Sequence, residues 1–300
     1  MTKALVIGRR RPGRGIALAV RATQRRLEAE GWTVEADVVD HKRQVRHSAA
    51  QAVKDGADVV VAVGGDGVVS QVVQSLGGTQ VALGIVPMGT GNLLAGNLGI
   101  SRDQKKAIDI LLGSGRRRID LGQTTIDRKK RLFAVACGIG FDAVVMKSTG
   151  KRHKARWGKL AYLASAIKNH GRVRNVTHEI TLDGVQSSME ATQVFIANFG
   201  GMGLPITPRL GIRPNDGVFD VIVVRASGPL PGLLAGWEAL RQGHLGHSSP
   251  GNVFRARARE VKVETHPDRL VEIDGSVIGA APVKAKIKPD ALTVIVPARK

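Results

Sequence analysis

The sequence predicts an N-terminal α/β domain, with a parallel sheet covered by helices, followed by a C-terminal, mainly antiparallel β-sandwich domain. In the first part, buried apolar runs alternate with helical patterns, and glycine turns follow two of those runs. From about residue 124 the pattern changes to short β-branched segments of alternating polarity. We therefore place the domains at 1–122 and 123–288, and expect the last residues, from about 289 to 300, to return to the first domain.

Strands and helices alternate through the first domain. The run Val-Val-Val-Ala-Val at 59–63 is typical of a strand that is buried on both faces. The predicted elements are strands at 4–8, 32–39, 58–63 and 81–86, and helices at 16–30, 48–55, 69–76 and directly after 92. Because ligands bind at the carboxyl ends of strands in such sheets, the turns after the third and fourth strands are candidate sites.

Short strands dominate the second domain. They are predicted at 132–137, 179–182, 192–198, 218–224, 261–264, 270–273 and 292–296, with helices at 158–169 and 230–242.

The composition limits the classes of function. With 300 residues, 43% of them hydrophobic, the chain can bury a core in each domain, and it has no run long enough to span a membrane. The net charge of +20 favours polyanionic partners, while only 3% aromatic residues argues against single-stranded nucleic acid. We expect a cytoplasmic protein that binds the anionic inner membrane face peripherally through its basic loops. Cys137 has no partner for an internal disulfide, and the oligomeric state stays open.

The first glycine turn follows the third strand. Gly64, Gly65 and Gly67 allow main-chain N–H groups to approach an anion closely, and the next helix directs its positive end there. Asp66 would repel a phosphate unless a cation lies between them, which indicates a nucleotide with Mg²⁺. The alternative is a tight turn in which Asp66 caps a helix.

The second glycine turn follows the fourth strand and comprises Gly89, Thr90, Gly91 and Asn92. Thr90 offers a hydroxyl and Asn92 an amide to a ligand. Two such turns after successive strands can line one cleft, which strengthens the interpretation as a nucleotide site.

The pair Gly-Gly-Asp-Gly and Gly-Thr-Gly-Asn resembles the catalytic domain shared by diacylglycerol kinases, sphingosine kinases and bacterial lipid kinases. The similarity continues in GIGFDAVV (138–145), GKLAYLASAIK (158–168), FIANFGGMG (195–203), PNDGVFDVIVV (214–224) and the segment 273–297. This resemblance implies ATP-dependent phosphorylation of a lipid hydroxyl, with a diacylglycerol-like lipid as substrate. It also implies a lipid site on the β-sandwich.

The resemblance assigns roles to individual residues. It implies ATP contacts at Gly65, Asp66, Gly67, Val68, Val69, Ser70, Gln71 and Thr90, to which the cradle formed by the two turns adds Gly64, Gly89 and Asn92. In bacterial members a structural Mg²⁺ lies at the Asp-Gly turn of the β domain. Here that site corresponds to Asp216 with backbone oxygens of Arg213 and Val218.

The chain departs from the family pattern at three places. Val68 stands where the family has threonine, and arginines at 9–14 replace an Asn-Pro pair. Asp274-Gly275-Ser276 stands where many relatives read Asp-Gly-Glu and use the glutamate as proton acceptor. A serine is not a general base at neutral pH, so Asp66 or Asp274 becomes the candidate acceptor, with Ser276 at the altered position.

Two other functions remain open from the sequence. Nicotinamide-dinucleotide kinases also carry Gly-Gly-Asp-Gly, although the second turn and the Asp274-Gly275 segment favour a lipid kinase. A catalytically silent protein that binds membranes or nucleic acid is the other alternative, and Ser276 favours it.

Overall fold

A computed structural model describes residues 1–141, 175–201, 211–225 and 253–298. The helices predicted at 158–169 and 230–242 lie outside the described residues. The chain divides into two compact units, one comprising Met1–Leu121 with Pro289–Lys300 and the other Gly122–Lys288.

The first unit is an α/β domain. Its elements are β1 (Lys3–Arg9), α1 (Ile16–Glu28), β2 (Thr33–Val39), α2 (Lys42–Lys54), β3 (Val59–Gly64), α3 (Asp66–Leu76), β4 (Ala82–Pro87), α4 (Leu93–Asn97) and α5 (Gln104–Leu112). The strands pair in parallel in the order β2-β1-β3-β4. The connections therefore leave β1 and β3 in opposite directions, and the crevice between the carboxyl ends of these two strands is where such sheets bind ligands.

Burial explains the elements that hold this crevice. Every residue of β3 is buried, as expected for a strand covered on both faces. The buried residues of α1, including Ile16, Val20 and Leu27, form one apolar stripe along the helix. Helix α2 begins at Lys42, six residues before the predicted start at 48, and the side chain of Gln44 accepts a hydrogen bond from the His41 N–H at 2.9 Å.

The second unit is built from antiparallel strands. Its strands, two of which begin or end in the first unit, are β5 (Arg116–Ile126), β6 (Lys129–Phe133), β7 (Ala136–Phe141), β8 (Val176–Leu182), β9 (Val185–Ala191), β10 (Gln193–Ala197), β11 (Phe219–Val224), β12 (Val253–Ala258), β13 (Glu260–His266), β14 (Leu270–Ile273), β15 (Ser276–Ala280) and β16 (Val283–Ile295). Six of them form the sheet β12-β11-β10-β7-β14-β15, and a second antiparallel run is β16-β13-β8-β9. β5 pairs with β16 and with β6.

Apolar side chains from both sets of strands form the core of this unit. The rings of Phe133 and Phe219 stack with their centroids 5.6 Å apart, and both residues are fully buried. Gly122 lies against the Phe133 ring, where a β-carbon would clash. The predicted fold class, an α/β domain followed by a mainly antiparallel β-sandwich, is confirmed.

Candidate active site

The two glycine turns lie against each other at the carboxyl edge of the parallel sheet. A β-carbon placed on Gly65 would lie 2.8 Å from the Cα of Gly89, closer than real side chains approach. The turn after β3 and the turn after β4 are thus in main-chain contact, which only glycine at both positions allows. The sequence predicted turns after two neighbouring strands, and the structure brings them together.

Asp66 fastens the first turn to the second. One carboxylate oxygen of Asp66 accepts a hydrogen bond from the N–H of Asn92 at 2.9 Å, and the other accepts one from the N–H of Leu93. Leu93 is the first residue of α4, so the carboxylate caps that helix rather than α3, to which Asp66 itself belongs. A β-carbon on Gly91 would clash with this carboxylate.

Asn92 shapes the second turn. Its backbone adopts the left-handed conformation with φ of 52°, which asparagine tolerates better than most residues. Its side-chain oxygen accepts from the Gly89 N–H at 3.0 Å, and its side-chain N–H₂ donates to the Gly89 carbonyl at 2.8 Å. Asn92 is buried, so it supports the turn instead of facing a ligand.

The predicted nucleotide-contacting residues divide into two groups. The side chains of Val68, Val69 and Ser70 are buried, so only their main chain can face the cleft. The N–H groups of Val68 and Val69 donate to the Gly65 carbonyl at 2.8 and 3.2 Å. The N–H groups of Asp66 and Gly67, in the first turn of α3, have no acceptor within the described parts of the chain and are available to an anion.

Arginines of the loop after β1 surround the turns. A side-chain N–H of Arg14 donates to the exposed hydroxyl of Thr90 at 3.4 Å. Burial, and then the charges of Arg9 and Arg14, lower the pKa of Arg11. The Nε of Arg9 is buried and has no hydrogen-bond partner among the described residues. These side chains create a strongly positive edge beside the free N–H groups.

Two basic residues of this edge were missed by sequence reasoning. Lys42 is the first residue of α2, and Arg102 donates to the Gly91 carbonyl at 3.3 Å. Lys42 comes shortly after the predicted second strand, separated from it by Asp40 and His41, so its position near the carboxyl end of a parallel strand was a usable signal. No sequence signal indicated Arg102, because its contact with Gly91 depends on the path of the chain after α4.

Asp274 lies in the second unit, in the two-residue turn between β14 and β15. Its carboxylate accepts hydrogen bonds from the N–H groups of Ala134, Val135 and Ala136 at 2.8, 2.8 and 3.1 Å. These bonds hold the bend that precedes β7. Ser276 is the first residue of β15, and its hydroxyl has no hydrogen-bond partner among the described residues.

The predicted magnesium site contains an ion pair. One carboxylate oxygen of Asp216 is paired with the guanidinium of Arg257, and the other accepts from the Val218 N–H at 3.4 Å. Asp220, which is buried, is paired in the same way with Arg255. Over the described ranges, no three His, Cys, Asp or Glu side chains are grouped to hold a metal ion.

Comparison with known proteins agrees with this architecture. A family model described as the diacylglycerol kinase catalytic domain matches residues 3–124. A second, described as the YegS C-terminal NAD kinase beta sandwich-like domain, matches residues 135–296. The crystal structure of a candidate diacylglycerol kinase from Bacillus anthracis str. Sterne has the same fold, with a TM-score of 0.81, 21% identity, and coverage of 98% of this chain and 97% of that one.

Two curated relatives extend the similarity over nearly the whole chain. A diacylglycerol kinase of Mycobacterium tuberculosis (strain CDC 1551 / Oshkosh) is 31% identical over 295 residues, which are 95% of this chain and 92% of that protein. A "Probable lipid kinase YegS-like" protein of Pseudomonas putida is 28% identical, covering 93% of this chain and 90% of that protein. An α/β domain with paired glycine turns joined to a β-sandwich defines a kinase of this type. The chain belongs to the diacylglycerol kinase family of lipid kinases.

None of the helices in the described part of the chain is both long enough and apolar enough to cross a membrane.

Proposed function

We propose that this kinase transfers the terminal phosphoryl group of ATP to the hydroxyl of a diacylglycerol-like lipid. One observation carries the proposal: Asp66 fastens two glycine turns together beside cations that have no acidic partner among the described residues. Free main-chain N–H groups and uncompensated positive charge at one edge of a sheet suit a triphosphate.

Each part of the edge has a role in this reaction. The N–H groups of Asp66 and Gly67 donate to phosphate oxygens, and the arginines after β1 neutralise the charge of the phosphates. Mg²⁺ bound with the nucleotide supplies further neutralisation at the transferring group. Asp66 fits as the protein ligand of that ion, because a carboxylate offers about four acceptor positions and main-chain donors occupy only two of them.

No dedicated general base is required in this proposal. Asp274 is engaged by three main-chain N–H groups, and Ser276 has no acid–base function at neutral pH. Phosphoryl transfer depends mainly on positioning and on charge neutralisation, so the reaction proceeds without the glutamate that Ser276 replaces. Asp66 and Asp274 remain the candidate proton acceptors.

The predicted structural Mg²⁺ at Asp216, with backbone oxygens of Arg213 and Val218, competes with Arg257. A guanidinium already neutralises the carboxylate, and a cation binds there only if this side chain moves away. No step of the transfer depends on this ion.

The substrate implies contact with an anionic membrane surface, and β16 offers a basic row for it. Lys284, Lys286 and Lys288 alternate with buried residues along β16, so they share one exposed face. Glu260 pairs with Lys284 at 2.7 Å, whereas Lys286 and Lys288 have no acidic partner in the described residues. Replacing these two by glutamate should weaken binding to anionic liposomes by at least about tenfold, since each basic residue near such a surface contributes about 1 kcal/mol.

Sedimentation with liposomes tests this row of lysines. The matched charge reversal uses Lys105 and Lys106, two exposed residues of α5, and should cause a smaller loss. Equal losses for the two pairs would mean that total charge alone decides binding. If the wild type binds neutral and anionic liposomes equally well, the proposed electrostatic contact with the membrane is wrong.

Transfer of radiolabelled phosphate tests the function itself. The protein is incubated with γ-labelled ATP and a panel of lipid alcohols, with and without Mg²⁺, and with a nicotinamide dinucleotide as the alternative acceptor. Label in a diacylglycerol-like lipid, dependent on Mg²⁺, is the expected result. Label in the dinucleotide alone, or in no acceptor, contradicts the proposal.

A further inference from the structure

Lys42 extends its side chain to the first glycine turn from a neighbouring element. It is the first residue of α2, separated from the end of β2 by Asp40 and His41, whereas Gly67 belongs to the first turn of α3. A β-carbon placed on Gly67 would lie 3.4 Å from the Cε of Lys42 and 3.6 Å from its Nζ. The ammonium group therefore lies at the same end of α3 as the free N–H groups of Asp66 and Gly67.

No acidic residue compensates Lys42 within the described chain. Its neighbours are Arg9 and Arg11, and the pKa of Lys42 is lowered by surrounding protein atoms first and by these two cations second. The buried Nε of Arg9 also lacks a hydrogen-bond partner in the part of the chain that the structure describes. Elsewhere in the chain basic residues have acidic partners, as Arg10 does with Asp40 in the first unit and Lys262 with Glu264 in the second.

The cations and the turns form one continuous arc. Lys42 lies over Gly67, Arg11 lies beside Lys42, and Arg14 donates to Thr90 of the second turn. Like charges gathered in this way repel one another, and a polyanion bound among them relieves the repulsion. Main-chain N–H groups with a lysine above them form the arrangement by which P-loops hold a phosphate chain. Here the lysine comes from a different crossover of the sheet.

We propose that the Lys42 ammonium binds the phosphate chain of the nucleotide, next to the N–H groups of Asp66 and Gly67. The inference rests on the proposed function, since it assigns a further binding residue to the same site. Lys42 makes the site select for the number of phosphates: a triphosphate reaches the ammonium, and a monophosphate does not.

Isothermal titration of the full chain with ATP, ADP and AMP at fixed Mg²⁺ tests this role. Lys42→Met should weaken ATP binding by about 10- to 100-fold, the range expected for a lost charge-assisted contact, and leave AMP binding nearly unchanged. Lys42→Arg keeps the charge and should keep most of the affinity. Lys54→Met, an exposed lysine in the last turn of the same helix, is the matched control and should bind ATP as the wild type does.

The outcomes separate this inference from the function on which it rests. If the wild type binds ATP and labels lipid, but Lys42→Met binds ATP equally tightly, the inference is wrong and the kinase activity stands. The inference is also wrong if Lys42→Met loses ATP and AMP affinity to the same extent, or raises only the KM for lipid. If the wild type binds no ATP, the proposed function fails together with it.

Discussion

The glycine-turn edge of the first unit and the Asp274 turn of the second share one feature, but the two units differ in how their acidic side chains are paired. In each, an aspartate carboxylate accepts main-chain N–H groups that are distant in sequence: Asn92 and Leu93 for Asp66, and residues 134–136 for Asp274. Around Asp66, however, positive charge exceeds negative. In the second unit the acids at 216 and 220 are each matched by an arginine.

This difference in charge pairing predicts which of the two regions binds an anion. An edge whose cations have no acidic partners gains stability when a phosphate binds, whereas a region whose charges are already paired gains little. By this measure we expect the nucleotide to bind at the glycine turns, and we expect Asp274 to stabilise its own unit. The predictions below test whether the two aspartates differ in this way.

Asp66→Asn should produce the largest loss of activity. The variant removes the carboxylate that we propose as the Mg²⁺ ligand, and its side-chain N–H₂ would face one of the main-chain N–H groups whose hydrogen bonds Asp66 now accepts. We expect phosphate transfer to fall by about 10²-fold or more. The melting temperature should also fall, since an unsatisfied donor costs about 1–3 kcal/mol.

Asp103→Asn is the control for this change. Asp103 caps α5 by accepting from the Lys106 N–H at 2.9 Å, so the substitution alters a similar contact away from the turns. Asparagine is an equally good cap, and activity should be retained. Wild-type turnover in Asp66→Asn would reduce Asp66 to a structural cap and remove the distinction between the two regions.

Ser276→Glu should give the next largest effect, as an increase in rate. If the reaction lacks a dedicated base, a carboxylate at this position should raise the rate of transfer by up to about 10²-fold. Ser276→Gln has the same size without the basic group and should leave the rate near that of the wild type. A flat or lower rate in the glutamate variant, at saturating ATP, would show that proton transfer does not involve this turn.

The outline of the fold and both glycine turns could be predicted because local patterns encode them. The apolar run of β3 ends in Gly64, and that of β4 is followed by Gly89, so periodicity alone locates the turns at strand ends. What could not be predicted depends on distant contacts. The partners of Asp66 lie 26 and 27 residues away, and although both turns were predicted to line one cleft, no sequence signal indicated these hydrogen bonds.

Several helices and strands could not be predicted because their sequences are polar. The start of α2 carries Lys42, Arg43 and Gln44, which have no apolar spacing to indicate a helix. Strand β9 is almost wholly exposed, and β12 contains two arginines that pair with acidic residues. Strands of this kind are stabilised by their neighbours in the sheet, which a single sequence does not reveal.

Asp274→Asn should reduce stability more than it changes nucleotide binding. In the natural protein three main-chain N–H groups donate to the two oxygens of the Asp274 carboxylate, whereas an asparagine side chain has only one acceptor oxygen. The free energy of unfolding should therefore fall by about 1–3 kcal/mol. The Kd for ATP should not change, because the proposed phosphate contacts belong to the other unit. Asp268→Asn, an exposed aspartate between β13 and β14, should be neutral in urea unfolding. A large loss of ATP affinity in Asp274→Asn would contradict the separation of roles.

Arg257→Gln should give the smallest effect, and it tests whether internal pairing replaces a metal ion in the second unit. The exposed Arg257 forms a pair worth at most about 1 kcal/mol, so its loss alone should hardly change melting. Without it the Asp216 carboxylate is available to Mg²⁺, together with the backbone oxygens of Arg213 and Val218. We expect Mg²⁺, relative to EDTA, to raise the melting temperature of Arg257→Gln by about 2–4 °C per kcal/mol of binding, and to affect the wild type less.

Arg259→Gln, an exposed residue just after β12, should behave as the wild type does. If Mg²⁺ stabilises the wild type and Arg257→Gln equally, the guanidinium does not compete for the carboxylate, and if it stabilises neither, Asp216 is not a cation site.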